Sequence, residues 1–306
     1  MDNIFENGLT AMEVEAKLER VRQSPGGIEK IAAQMKALII ETLLYEGRTR
    51  QLYQMHKLNQ GEEAVYDVDI RVPAYAMSID GTPYKAIPKS GRVRIETAPI
   101  GSRILLKWTD QNYRKFDLVV RGTERAKSSI QTQEDDRAIK VLDAASDAYN
   151  DALLQTTTTL EIKKVIQALA TVRNNRHVAS KIVLSAMRTA DIMGWNIGTG
   201  GGTGIFSPAT QEVLQKSGRI GQVFGVDLLE FVKGEIDGKD VDIIDPLKVY
   251  VCTSPELLGV FTIRQELMSE ALKDPNQYGD VIAFMEEVGH FIQFSNGIVR
   301  IDVAAA

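Results

Sequence analysis

The residues with the most chemical promise are a glycine cluster, three histidines, one cysteine and two adjacent pairs of acids. The cluster Gly198-Thr199-Gly200-Gly201-Gly202-Thr203-Gly204 suggests a phosphate-cradling loop. Such a loop needs its third glycine in register, yet Gly198 meets Thr203 there and Gly200 meets Ile205, and no Lys-Ser/Thr follows. A connecting loop is the better reading. His56, His177 and His290 have no second His or Cys at helix-ligand spacing, which argues against a zinc site. Cys252 is the only cysteine and lies in the apolar run Val249-Tyr250-Val251-Cys252, so a buried, inert thiol is expected. Asp135-Asp136 and Glu286-Glu287 read as solvated faces, and no G-x-S-x-G elbow supplies a serine nucleophile. No cofactor or metal is implied. An enzyme would need a site assembled from scattered residues.

Charge is spread unevenly along the 306 residues. Tyr66 to Arg125 holds 11 basic against 7 acidic side chains, a net +4, whereas Arg219 to Asp302 holds 7 against 15, a net −8. Patches of opposite sign suit contacts between copies of one chain. There is no dense basic stripe of the kind that grips phosphates, and Trp108, Tyr113 and Phe116 read as core aromatics more readily than as base-stacking platforms. No apolar run approaches the ~20 residues of a membrane helix, and the N-terminal residues MDNIFENGL lack the pattern of a secretory leader, so a reducing, cytoplasm-like compartment is expected.

The elements that must carry these residues follow from periodicity. Residues 9–22 form a weakly amphipathic helix, broken by Ser24-Pro25-Gly26-Gly27. Ile28, Ile31, Ala32, Met35, Leu38, Ile39 and Leu43 then recur at helical spacing. Val65 to Val72 and Gly91 to Glu96 alternate as strands around a Pro/Gly-rich tip at 78–91, the pattern of a protruding hairpin whose unpaired edges need a partner. Arg103–Trp108 and Lys115–Val120 read as further strands. Thr132, with Asp135 three residues on, is placed to open a long helix with the stripe Ile139, Leu142, Ala145, Tyr149, Leu153. Thr158 and Glu161 form a second capping box before Ile162, Val165, Ile166, Leu169 and Val172. Beyond lie a strand at 181–185, helices at 186–195 and 208–217, a buried strand at 249–252, and a helical turn opened by Ser254-Pro255. Ser295-Asn296-Gly297 signals a closing hairpin. The chain is α+β, without the βαβ rhythm of a nucleotide-binding fold.

This order of elements resembles the major capsid protein of tailed double-stranded-DNA bacteriophages, a fold shared with encapsulins. The stretches that carry the likeness are Ser207-Pro208-Ala209-Thr210-Gln211 running into Gly218 to Leu228, Val249 through Gly259, and Glu286-Glu287-Val288-Gly289-His290. It covers the chain from about residue 30 to the end. The resemblance implies an N-terminal helical arm (1–65), an extended loop (66–108), a peripheral domain with a spine helix (109–157 and 281–306) and an axial domain (158–280), the last strands returning to the peripheral sheet. It further implies a non-enzymatic subunit of an icosahedral shell around phage DNA, built of hexamers and pentamers and located in the virion after assembly in the host cytoplasm. A separate scaffold protein and a portal are expected partners, with a decoration protein an option and packaged DNA contacted weakly and without sequence preference. Arg71, Lys85, Lys89, Arg92 and Arg94 are the expected inter-subunit contacts, Lys85 and Lys89 standing at the loop tip. The alternatives are an encapsulin-like compartment and an unrelated cytoplasmic enzyme.

Overall fold

In the computed structural model of the chain, residues 27–59, 61–67, 91–107, 117–149, 152–155, 157–195, 221–236, 239–274 and 278–305 are described. The hairpin tip, the glycine cluster and the helices expected at 9–22 and 208–217 lie outside them.

Helix α1 (Gly27–Glu46) buries Ile31, Ala32, Met35 and Ile39, the stripe its sequence predicts. It is followed by α2 (Arg48–Leu52), β1 (Gln54–Lys57), the short ribbon β2 (Val65–Asp67) and β3 (Arg92–Arg94), and then β4 (Ala98–Lys107). Helix α3 (Asp117–Tyr149) is the 33-residue spine. It starts fifteen residues before Thr132, so Thr132 and Asp135 do not cap it, and Asp117–Val120 is helix where β-branched residues predicted strand. Packing overrides propensity here. Ala126, Ile130, Ala138 and Leu142, at spacings of four and eight, share a face buried against β4 and its sheet, and a Cβ on Gly122 would stand 3.1 Å from Ile104 Cγ2. Thr132 is itself buried, facing the backbone of Gly234.

The remaining elements are β5 (Ala152–Leu154), α4 (Ile162–Asn174), β6 (Ala179–Ser185), α5 (Ala186–Gly194), β7 (Gln222–Val223), β8 (Val226–Phe231), β9 (Lys233–Ile236), β10 (Lys239–Asp242), β11 (Lys248–Thr253), α6 (Pro255–Leu258), β12 (Gly259–Asp274), β13 (Gly279–Ile292) and β14 (Ile298–Asp302). Leu153 therefore belongs to a strand and not to the spine helix. The second capping box also fails to form. Glu161 occupies the N-cap of α4 in an extended conformation, without a side-chain cap, and receives the Thr157 hydroxyl at 3.0 Å.

Two sheets organise the chain. A four-stranded sheet runs β1-β12-β13-β4 and a six-stranded sheet runs β5-β14-β11-β6-β8-β7. The six-stranded sheet is covered on both faces, which explains the continuous apolar run at its centre. Tyr250 and Cys252 join the core shared with α1, α3 and the four-stranded sheet, whereas Val249 and Val251 pack with Val165, Leu169 and Val172 of α4. Burial pushes the Cys252 thiol far up, as expected of an inert cysteine.

The Asn-Gly hairpin is not formed. Ser295–Gly297 is a 3-10 turn between β13, in the four-stranded sheet, and β14, in the six-stranded one. Asn296 is occupied elsewhere: its carbonyl accepts from Asn175 Nδ2 at 3.0 Å and its side chain meets His177 Nε2 at 3.1 Å. Gly297 serves close packing, since a Cβ there would lie 2.8 Å from Thr253 Cγ2. The final strand thus leaves the sheet that was expected to receive it. Two further boundaries shift for the same reason of pairing. The division at 280/281 would cut the β12–β13 hairpin, and β4, expected as the root of the loop, is paired along its length with β13 from Ala98↔Val288 to Lys107↔Gly279.

Candidate functional site

The base of the ribbon is the part of the expected contact site that the structure describes. Val65 pairs with Arg94, Tyr66 with Val93 and Asp67 with Arg92 in an antiparallel ladder. Alternation puts Arg92 and Arg94 on one face, both exposed, with Val93 half-buried on the other. Arg71, Lys85 and Lys89 lie outside the described residues.

The root is anchored. Leu58, Ala64 and Ile95 form a small buried cluster with Tyr66 and Phe291 against it, and Ile95 N donates to Ala64 O at 2.8 Å. The Tyr66 hydroxyl meets His56 Nδ1 and lies 3.2 Å from Thr262 Oγ1 on β12. Gly289 allows the chain to cross closely: a Cβ there would stand 2.9 Å from both Glu96 O and Ile95 Cγ2. Thr97 donates to Glu287, which also pairs with Arg264 at 3.4 Å. These contacts fix the base of the ribbon, with Arg92 and Arg94 exposed, against the four-stranded sheet.

Behind the root lies a charged cluster that corrects the reading of the acidic pairs. Asp135 and Glu286 are each 2% exposed and Glu134 is fully buried, so these are not solvated faces. Arg50 of α2 binds Glu134 through Nη2 at 2.6 Å and Nε at 3.2 Å, and reaches Glu286 at 3.2 Å. One guanidinium therefore joins the spine helix to β13. Desolvation and the neighbouring Glu134 push the Glu286 carboxyl up to about 9, which leaves it protonated at neutral pH. A hydrogen bond between the two carboxyls favours the protonated Glu286, whose Oε1 is buried without a partner. The cluster is then neutral overall, Arg50 balanced by one ionised glutamate. Beside it, Asp135 accepts from Thr49 N at 3.2 Å and from the Thr49 hydroxyl, and burial raises its carboxyl to about 6. Asp136 takes Lys140 at 2.6 Å on the helix surface, and Glu287 sits half-buried with its partners at the ribbon root. His290 packs edge-on to Phe261 and Tyr53, and burial lowers it to about 4.

Sequence periodicity contains a signal for this cluster. Ala126, Ile130, Glu134, Ala138 and Leu142 share one helical face, and Ile282, Phe284, Glu286 and Val288 share one face of a strand. A single acid in each apolar series marks a buried partner pair. A cavity of about 230 Å³ between Ile40, Met55, Ile263 and Leu267 reaches Arg50 and Glu286. Among the described residues, no three His, Cys, Asp or Glu side chains gather to hold a metal ion.

No family model matches the sequence, and no curated protein matches it. Solved structures do. A structure of Microbacterium phage Oxtober96 superposes with a TM-score of 0.63 at 11% identity, covering 83% of this chain and 90% of that one. The asymmetric unit of the bacteriophage PhiM1 mature capsid gives 0.55 at 11%, covering 84% and 87%. A virus-like particle from Pyrococcus furiosus gives 0.54 at 14%, covering 88% and 98%. The chain has the tailed-phage capsid fold. Within that capsid fold, Arg50 of α2 locks the spine helix to the β12–β13 hairpin, and the ribbon root is held beside it on the same hairpin by Thr97, Glu287 and Gly289.

Proposed function

We propose that this chain is the structural subunit of a closed icosahedral shell that encloses phage double-stranded DNA, and that it performs no catalysis. The observation that carries the reading is the near-complete mutual coverage with capsid and particle structures, at least 83% of this chain and 87% of each of the three compared. The exposed two-stranded ribbon supports it. Two strands alone are marginal in water, and a neighbouring copy that covers their edges removes the cost. In this reading Arg71, Lys85, Lys89, Arg92 and Arg94 rest on an acidic face of the adjacent subunit, and symmetry repeats the contact around hexamers and pentamers. The ribbon extends over about 66–97, and β4 with the β12–β13 hairpin belongs to the spine-helix domain. A separate scaffold protein and a portal guide assembly in the host cytoplasm, a decoration protein is an optional addition, and DNA is contacted weakly.

Electron microscopy of the purified product tests the central claim: closed shells are expected, and a small discrete oligomer overturns it. Reversing Arg92 and Arg94 to Glu abolishes shells while the subunit's thermal unfolding stays unchanged; normal shells from that double variant would remove the ribbon from the mechanism. The second reading is an encapsulin-like compartment, a shell of the same fold filled with protein cargo in place of DNA. Nucleic acid inside native particles decides against it.

A further inference from the structure

The six-stranded sheet holds a second feature, at the carboxyl ends of the parallel pair β6 and β8, whose ladder ends at Ser185↔Phe231. In α/β sheets this is where crevices for ligands form. A cavity of about 410 Å³ opens there. The chain passes from β6 directly into the nine-residue helix α5, so the N–H groups of the first turn face that end.

Ser185 holds the N-cap position in an extended conformation, yet its hydroxyl caps nothing. Ser185 is 8% exposed and lines the cavity, and its hydroxyl has no hydrogen-bond partner among the described residues. The first turn of α5 also has no acidic side chain to offset its positive end. It carries Arg188 instead, 2% exposed, bound to Pro246 O at 2.6 Å, Thr158 O at 2.7 Å and Asp191 at 2.7 Å. Pro246 belongs to the cavity wall. The other walls are apolar: Phe231, Ile243 and Ile244 are buried, while Met187 and Val232 are 62% and 45% exposed. Lys233 and Asp242 also line the cavity, 3.5 Å apart and already paired.

We propose that this cavity binds a carboxylate carried on an apolar stem. The carboxylate accepts from the Ser185 hydroxyl and the free N–H groups of α5, and the stem lies along Phe231, Val232 and Ile243. A doubly charged phosphate fits poorly, because Asp242 already neutralises Lys233 and the remaining lining is largely apolar. This goes beyond shell building and does not depend on it.

Calorimetric titration of the purified full-length chain with hexanoate, and with hexanol as its uncharged match, tests the proposal. Hexanoate should bind about tenfold more tightly than hexanol, the scale of one charge-assisted hydrogen bond. Ser185→Ala should weaken hexanoate about fivefold and leave hexanol unchanged. Asp242→Asn should tighten hexanoate by freeing Lys233. Val232→Trp, at a half-exposed position where folding tolerates it, should block both. Equal affinity for hexanoate and hexanol, or full binding by Val232→Trp, overturns the proposal. Repeating the titration on assembled particles separates the sources: retained binding indicates a free organic acid, and lost binding indicates a carboxylate supplied by a neighbouring chain.

Discussion

Among the described residues, the spine helix meets the two sheets at two ionic joints, one near its middle and one near its end, and they differ in burial more than in chemistry. At the first, Arg50, Glu134 and Glu286 have side chains 7%, 1% and 2% exposed. At the second, Asp143 takes Lys248 at 2.8 Å, Arg300 at 3.3 Å and the Tyr250 hydroxyl at 2.7 Å, with its side chain 32% exposed, Lys248 25% and Arg300 13%. Arg300 is further shared with Asp147 and Asp302. The inner joint must be complete or it is costly, because each charge has lost its water. The outer joint is screened, and its members share several partners, so the loss of one is absorbed. The same helix is tied to one sheet by an obligatory lock and to the other by a tolerant network.

The largest expected effect breaks the inner joint. Arg50→Ala leaves Glu134 buried without its cation and should cost about 3–5 kcal/mol, measured by urea unfolding of the unassembled subunit. A loss below about 1 kcal/mol would show that water reaches the cluster. The next is a pH dependence. Glu286 has a folded value near 9 against an ordinary 4.5. Below pH 4.5 the carboxyl is protonated in both states and its contribution is complete. Above it the unfolded chain ionises first, and stability falls until the folded carboxyl also ionises near pH 9. Between pH 6 and pH 8 the wild type should lose about 3 kcal/mol relative to Glu286→Gln. Parallel stability curves for the two proteins would contradict the shared-proton arrangement.

The outer joint should respond less. Tyr250→Phe removes one hydrogen bond to Asp143 and should cost about 1 kcal/mol in the same assay. Burial works to raise the Asp143 carboxyl, but hydrogen bonds from Lys248 and Tyr250 and their charged neighbours hold it below its usual range. Its contribution is therefore present at neutral pH and lost as acid protonates it, the opposite sign to Glu286. At the ribbon root the Arg264–Glu287 pair is 55% and 26% exposed, and Arg264→Ala should change stability by under about 0.5 kcal/mol. A larger loss there would make the ribbon root part of the inner lock.

How much was legible follows from these same residues. The α1 stripe, the strand at 181–185, the buried Val249–Cys252 run and the ribbon base can be read from periodicity, because each is set by neighbours close in sequence. The early start of α3 could not, since Gly122 and Ala126 acquire their meaning only against β4. The two buried glutamates left a trace, one acid in each apolar series, but their partner Arg50 is 84 residues from Glu134 and 236 from Glu286. Asn296-Gly297 misled for a related reason: turn chemistry is local, and both flanking strands had already been claimed by distant partners.

The sequence by itself determined the α1 stripe, the buried strands at 181–185 and 249–252, the α+β class and the exposed arginines of the ribbon base. Those properties depend on side-chain period and composition along a few turns or pleats. Only the tertiary structure decided which strand edges meet, which acids lose their water, and that one arginine ties helix to sheet. Pairing and desolvation depend on what covers a residue from elsewhere in the chain, and that cover is not written beside it.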